Sequence, residues 1–356
     1  MGTENRVTTS ILSPRLRSMR FRSLILILLA ACIALPGCSA RVEPSNGFAP
    51  DEAHRLTIYT SHKEEVYRPI IREFEARTGI WVEVVTGGTN ELLERIAAES
   101  DAPRCDVMFG GGVESLEAYR AQFVPYTCAE AEHLQAQFRA EDDLWTPFSA
   151  LPIVLIYNKK LVSPDALTRW SDLLDEAYRG RIAFTDPSIS GSSFTALATL
   201  LRAVGDDELT MRRFAAALDA QLGSSGAVLS SVEEGADLVG ITIEETARQR
   251  IASGADIAIV YPADGTSCVP DGSALVRGCA HAENAKRFLD FTVSPDVQEL
   301  LASSRRSVRD DVPNAEDMPS LDELALVDYD VREVSARRDA LLMTWAFVFG
   351  GEEGAA

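Results

Sequence analysis

The stretch "RLTIYTSHKEEVYRPIIREFEARTGIWVEVV", Arg55–Val85, decides the fold class. "LTIYT" is a short apolar run rich in β-branched residues and reads as a buried strand. "KEEVYRPIIREFEART" repeats its apolar residues at helical spacing, and Gly79 closes it as a C-terminal cap. Pro69 falls early in that helix, where a missing N–H is best tolerated. "IWVEVV" returns to a strand. The same alternation continues outward with "NELLERIAAES" as a helix, "CDVMFGGG" as a strand ending in glycines, and "VESLEAYRAQ" as a helix. Strands alternating with helices predict an α/β protein with a mainly parallel sheet. On such sheets ligands bind beyond the carboxyl ends of the strands. Those ends carry "TSH" (Thr60, Ser61, His62), "GGTN" (with Gly88 and Thr89) and "GGG" (with Gly111 and Gly112).

A second region runs from "WTPFSALPIVLIYNKKLV" to "GADIAIVYPADGTSC" with strands of its own, "RIAFTD", "DLVGIT" and "DIAIVYP". Its helices are "SSFTALATLLRAVG", "MRRFAAALDAQLG" and "IEETARQRIASG". Beyond it, "SALVRG" and "NAKRFLDFTVSPDVQELLAS" form a further strand and helical stretch, and "VREVSARRDALLMTWAFVF" a last helix. Within this region "FTDPSISGSSFTALATLL", Phe184–Leu201, concentrates Ser188, Ser190, Gly191, Ser192, Ser193 and Thr195 at the mouth of an otherwise apolar helix. One hydroxyl suffices to cap a helix. So many at one mouth, with a glycine permitting close approach, suggest that the free N–H groups serve a ligand, and an anion suits them best.

The N-terminus reads as an export signal. Arg15, Arg17, Arg20 and Arg22 precede the apolar run "LILILLAACIALPG", a charged region followed by a short apolar one. "LPGC" ending at Cys38 and "LAAC" ending at Cys32 each resemble the lipobox of bacterial lipoproteins. Cys38 is the expected lipidated residue, because it ends the longer apolar run and precedes the polar "SARVEPSNGFAPDEAHR". On this reading residues 1–37 are the signal peptide, 38–54 a tether, and the only membrane contact is the N-terminal lipid anchor.

The chain of 356 residues has a formal net charge of -20. Residues 1–37 hold five arginines and one glutamate, a net of +4, so the remainder carries -24. Nucleic acid needs a basic surface, which excludes it as a partner. Cys105, Cys128, Cys268 and Cys279 remain after export, an even number in an oxidising compartment, so disulfides are expected. Neighbours in sequence would pair as Cys105–Cys128 and Cys268–Cys279, with two other connectivities open. No CxxC spacing points to a metal, and no cofactor is expected. A nucleophile elbow GxSxG, a metalloprotease HExxH and a phosphate loop GxxxxGK[ST] are all absent. A serine nucleophile at Ser192 or Ser193 would need a neighbouring base, and of the four histidines, His54, His62, His133 and His281, only His62 is a plausible partner, so an enzyme is not expected.

Taken together, "LTIYTSHKEEVYRPIIREFEARTGI", "DVMFGGGVESL", "FSALPIVLIYNKKLV", "RGRIAFTDPSISGSSFTALATLL", "GADIAIVYPADGTSCVPDGSALVRG" and "NAKRFLDFTVSPDVQELLA" resemble the extracellular solute-binding proteins of ABC importers. The group resembled contains ferric-ion, sugar-phosphate and aminoethylphosphonate binders. The resemblance implies a two-lobed periplasmic-binding-protein fold of type II, with two mixed, mainly parallel sheets joined by a two-stranded hinge. Lobe 1 would comprise 55–150 and 270–356, and lobe 2 residues 151–269. A small anionic solute would be trapped between the lobes and passed, by a monomer, to the permease subunits of an ABC transporter.

Within that frame Ser190, Gly191, Ser192 and Ser193 would face Thr60, Ser61, His62, Gly88, Thr89, Gly111 and Gly112 across the cleft. Of the two carboxylates opening "EETARQ", Glu244 is taken as the ligand contact and Glu245 as structural, and Tyr261 is a further candidate. Ferric binders of the group use a histidine, a carboxylate and two adjacent tyrosines. His62 matches the histidine, but no two tyrosines are adjacent in this chain. The expected solute is therefore a phosphorylated or phosphonate organic anion, with ferric iron as the alternative.

Overall fold

A computed structural model describes residues 50–205 and 208–353. The expected signal peptide, both lipobox cysteines and most of the tether lie outside the described residues. The opening alternation is present. Strand β1 (Arg55–Thr60) leads into helix α1 (Glu64–Thr78) and strand β2 (Trp81–Thr86). Val66, Ile70, Ile71 and Phe74 form the buried face of α1, and Gly79 stops it at φ 69° with its N–H donating to Glu75 O. Helix α2 (Thr89–Ala98), strand β3 (Val107–Gly112) and the short helix α3 (Val113–Ala118) follow, then the two-residue β4 (Phe123–Val124).

The long strand β5 (Thr146–Asn158) joins the two halves of the molecule. Its first part, to Pro152, pairs with β9 (Cys268–Val276). From Ile153 onward it pairs instead with β7 (Val239–Ile243) and β8 (Ile257–Val260). The sheet path is therefore β2-β1-β3-β9-β5-β7-β6, with β6 at Ile182–Ala183, β4 on β9 and β8 on β5. The change of partner within β5 coincides with Pro152, which has no N–H to donate to a ladder.

The expected dominance of parallel pairing is not met. Among the described residues β1–β2, β1–β3 and β6–β7 are parallel. The pairs β3–β9, β4–β9, β5–β7, β5–β8 and β5–β9 are antiparallel. The reason is that β9 and β5 run against the strands they join, so every pairing through these two central strands is antiparallel.

The second half holds helices α4 (Gly191–Val204), α5 (Glu208–Ala217), α6 (Ser225–Glu234) and α7 (Glu244–Ala252). Helices α8 (Ala282–Thr292) and α9 (Pro295–Leu301) follow β9, and α10 (Val331–Glu353) ends the fold. Apolar burial divides with the sheet. Ile58, Phe74, Phe109, Phe148 and Phe288 share one cluster, whereas Leu155, Trp170, Phe184, Phe194 and Phe214 share another. Val334, Leu341, Trp345 and Val348 of α10 belong to that second cluster. Trp345 packs its ring against Phe184 at 5.8 Å and Phe214 at 5.7 Å. The C-terminal helix, expected in the first lobe, touches both halves: Val331 packs against the first-half cluster of Leu116, Phe123 and Trp145, and Arg332 pairs with Glu141 and Asp142. No helix among the described residues is long and apolar enough to cross a membrane.

Candidate functional site

A cleft of about 760 Å³ lies between the two halves of the sheet. One wall comes from strand ends of the first half, as Ser61, His62, Gly88, Thr89, Gly111 and Gly112. Gly110 and Gly111 adopt φ of 82° and 131°, which favours glycine there. A methyl group on Gly110 would sit 2.3 Å from His62 Nε2, so this glycine also makes room for the imidazole. Thr60 is not in the wall. It is fully buried, its hydroxyl donates to Phe109 O at 2.8 Å, and its oxygen accepts the backbone N–H of His62 at 3.1 Å. It therefore holds His62 in place rather than facing the cleft.

The opposite wall is the mouth of α4. Ser190, Gly191 and Ser192 line the cleft, while Ser193 is turned away and its N–H donates to Ser190 Oγ at 3.3 Å. A second helix mouth stands beside this one. Ser224 caps α6 by accepting from Ala227 N at 3.3 Å, and Ser225 opens it. The hydroxyls of Ser190 and Ser192 are 3.1 Å apart, and each lies 3.4 Å from Ser225 Oγ. Two helix N-termini and three clustered hydroxyls thus converge on one point of the cleft, with partial positive charge from both helices. Sequence reading missed α6, since "SSGAVLSSVEEG" is rich in serine and glycine and resembles a loop. The signal that could have found it is Ser224 placed as an N-cap before "AVLSSVEE".

The floor is ionic. Arg305 is 5% exposed and donates through Nη1 to Ser149 Oγ at 2.9 Å and Asp271 Oδ2 at 3.0 Å, and through Nη2 to Glu245 Oε2 at 3.1 Å. Asp271 also accepts from the N–H and hydroxyl of Ser149, both at 2.8 Å. Burial raises the Asp271 carboxyl above the usual carboxylate range, opposed by Arg305 and Ser149. His62, wedged between the rings of Phe109 and Phe148, reaches within 3.5 Å of Asp271 Oδ2. Its burial, and then the charge of Arg305, hold it well below the ordinary histidine range and therefore neutral. Glu114, at the edge of the floor, accepts from Thr195 Oγ1 at 2.9 Å and from the Tyr329 hydroxyl, and burial raises its carboxyl too.

Two expectations are reversed here. Glu244 does not line the cleft. It is buried, accepts Arg306 Nε at 2.7 Å and Nη2 at 2.8 Å, and accepts the hydroxyl of Tyr261. Tyr261 is thereby committed to Glu244 and is outside the cleft as well. Glu245, assigned the structural part, is the one whose side chain meets the cleft. Successive residues in the first turn of a helix point about 100° apart, so only one of the two carboxylates can face the cleft.

The four expected disulfide cysteines are free thiols. Their spatial neighbours are not their sequence neighbours. Cys105, whose thiol approaches Val107 O at 3.1 Å, shares a cluster with Cys279. Cys128 shares another with Cys268. Burial pushes Cys128 and Cys279 up to about 11 and Cys268 up to about 12, so these thiols stay protonated at neutral pH.

Comparison with known proteins agrees with this architecture. Residues 116–332 match the family described as bacterial extracellular solute-binding protein. That match spans more than half of the chain, which belongs to this family. Iron uptake protein A1 of Synechocystis sp. is 26% identical over 290 residues, covering 76% of this chain and 79% of the relative. A putative 2-aminoethylphosphonate-binding periplasmic protein of Salmonella typhimurium is 24% identical over 257 residues, covering 67% and 73%. Among solved structures, the periplasmic binding protein AfuA from Actinobacillus pleuropneumoniae, with exogenous fructose-6-phosphate bound, has a TM-score of 0.77. It is 23% identical and covers 83% of this chain and 98% of its own. The ferric binding protein from Campylobacter jejuni has a TM-score of 0.73 at 20% identity, covering 82% and 99%. The fold is that of type II periplasmic binding proteins, and the family transports solutes by binding them, without catalysis.

Proposed function

We propose that this solute-binding protein captures a phosphorylated or phosphonate organic anion and seats the anionic head at the joint mouth of α4 and α6. As a family member it serves an ABC importer, delivering a small solute to the permease. The observation that carries the choice of solute is the triangle of Ser190, Ser192 and Ser225 hydroxyls, 3.1 to 3.4 Å apart, at two helix N-termini. A tetrahedral head offers three oxygens to three hydroxyls and to backbone N–H groups. Hydrogen bonds to a charged acceptor are roughly twice as strong as neutral ones. Ser61, His62, Gly88, Thr89, Gly111 and Gly112 close over the rest of the molecule in this reading. The lipid anchor at Cys38 and the monomeric state belong to the same proposal.

Ferric iron is the alternative that the relatives' names raise. Hard ferric iron prefers anionic oxygen, and phenolates supply it. Here the Tyr261 hydroxyl is engaged by Glu244, and no tyrosine is among the residues lining the cleft. That removes phenolates from the cleft, and the floor carboxylates Asp271 and Glu245 are already paired with Arg305, which weighs against iron. A thermal-shift panel of phosphate esters, phosphonates and ferric salts tests the choice, because a ligand bound only by the folded protein stabilises it by RT ln(1 + [L]/Kd). Stabilisation by phosphate esters or phosphonates is expected. Stabilisation by ferric salts alone would reverse the ranking.

A further inference from the structure

The two walls of the cleft meet beside the hydroxyl cluster, and an amide side chain reaches from one to the other. Asn90, in the first turn of α2, donates through Nδ2 to Ser188 O at 2.6 Å. Helix α2 belongs to the first half of the sheet, and Ser188 lies in the loop that leads into α4 of the second. The walls stand close around this bond. A methyl group on Gly191 would sit 3.6 Å from Thr89 Oγ1 and 3.8 Å from Gly112 N, and one on Gly88 would sit 3.6 Å from Ile189 O. The loop that carries Ser188 is tightly turned. The Ser188 N–H donates to Asp186 Oδ1 at 2.8 Å, and those of Ile189 and Ser190 donate to Asp186 O at 3.2 and 3.1 Å. Asn90 is 7% exposed, and its Oδ1 is buried without a hydrogen-bond partner. Leaving a buried acceptor unpaired is costly. Ser188 O can only accept, so the amide turns its donor that way in spite of the cost.

We infer that Asn90 is the positioning residue that latches the two walls together, by holding Ser188 and with it the mouth of α4. Thr195–Glu114, Arg305–Glu245 and Arg306–Glu244 also join the halves, but each of these contacts ends on a buried carboxylate. Breaking an ion pair of that kind strands a charge and disturbs the fold. The Asn90–Ser188 bond is neutral at both ends, so it can break and re-form without stranding one. Arg305 and Arg306 moreover bond to Ser149 and Ala150, beside Pro152, where β5 changes partners. Those pairs brace the strand that crosses between the halves, whereas Asn90 ties one helix mouth to another. The latch therefore sets how readily the cleft opens to admit or release a solute. It does so whatever the chemistry of that solute, and the inference does not depend on the anionic-head reading above.

The experiment is hydrogen–deuterium exchange of the full chain without added solute, comparing wild type with Asn90→Ala and Asn90→Asp. Loss of one neutral hydrogen bond should speed exchange about two- to tenfold in Asn90→Ala, at both walls, residues 88–92 and 188–194. The amides of α1 should keep their wild-type rates, which checks the fold. Asn90→Asp keeps the size of the side chain but turns an ionised carboxylate, with no donor, toward Ser188 O. It should therefore exchange faster than Asn90→Ala at residues 188–194. The order is read on that wall because an aspartate in the first turn of α2 favours its own helix. A residue that merely filled space would tolerate the isosteric aspartate better than alanine. Should Asn90→Asp fail to fold, Asn90→Leu, of similar size and without a donor, takes its place and should match or exceed alanine at 188–194. Equal exchange in all the proteins overturns the latch. So does faster exchange confined to 88–92, which is fraying of α2, or a same-size variant milder than alanine at 188–194.

Discussion

The two walls of the cleft are built by opposite means. The hydroxyl wall is local in its larger part: Ser190, Gly191 and Ser192 are consecutive and open one helix, and only Ser225 comes from a second helix. The ionic floor is assembled from distant parts of the chain, with His62 after β1, Ser149 in β5, Glu245 in α7, Asp271 in β9 and Arg305 beyond α9. The hydroxyl wall holds partial charges that do not titrate, while the floor holds full charges that must be paired. The contrast teaches that anion capture can be separated from the burial of ionised groups. A change at the hydroxyls should affect binding alone, and a change at the floor should affect folding first.

The largest effect is therefore expected at Arg305. Arg305→Ala leaves Asp271 and Glu245 buried without their cation, and breaking a buried pair from one side typically costs about 3–5 kcal/mol. Urea unfolding followed by circular dichroism reads this, and a loss below 1 kcal/mol, on the order of a surface pair, would break the contrast.

Next comes the hydroxyl wall. Ser192→Asp places a carboxylate against the ligand's head, and like charges in contact cost several kcal/mol, so binding should fall by roughly a hundredfold or more. Ser192→Ala removes only one hydrogen bond to a charged group, and should weaken binding about tenfold. Both variants should unfold at the wild-type urea concentration. Equal affinity in calorimetry for wild type and both variants would mean that "SISGSS" is only a capped loop.

A smaller effect concerns pH. His62 is held below the ordinary histidine pKa by burial and by Arg305. A histidine depressed in the folded state binds fewer protons there than in the unfolded chain. Stability from this group is thus complete above the ordinary value and is lost as pH falls from about 6.5 toward the lowered folded value, with a slope of at most ~1.4 kcal/mol per pH unit. His62→Gln should remove that slope whatever its offset at neutral pH. Unfolding free energies measured between neutrality and mild acid decide it, and parallel curves for the two proteins would remove His62 from the account.

The smallest expected effect is that of a reductant. A disulfide closing a loop of this size would contribute about 3 kcal/mol, and reduction would lower the unfolding temperature by several degrees. With Cys105, Cys128, Cys268 and Cys279 free, the melting curve should not move on adding dithiothreitol. A clear drop would restore the pairing expected from an oxidising compartment.

Legibility in the sequence follows the same division. The α1 face of Val66, Ile70, Ile71 and Phe74, the Gly79 stop and the helix mouth at Ser190 were readable because helical period, capping and glycine conformation act over a few residues. Helix α6 was not readable, since its serines and glycine carry little intrinsic helix preference. Its place is supported by Val228, Leu229 and Val232 packing with Ile156 and Ala247. Glu244 and Glu245 are indistinguishable by type, charge and position in the sequence. Their fates were set by which direction met Arg306 and which met Arg305.

By itself, then, the sequence determined an α/β chain with a hydroxyl-rich helix mouth, because local periodicity and capping depend on near neighbours alone. The tertiary structure decided the rest. It brought Ser225 to Ser190, aligned β5 with two different sets of strands, and gathered His62, Asp271, Glu245 and Arg305 under one cleft. These choices depend on burial and on charge pairing between residues far apart in the chain. Such forces act only once packing has excluded water, and no short stretch of sequence records them.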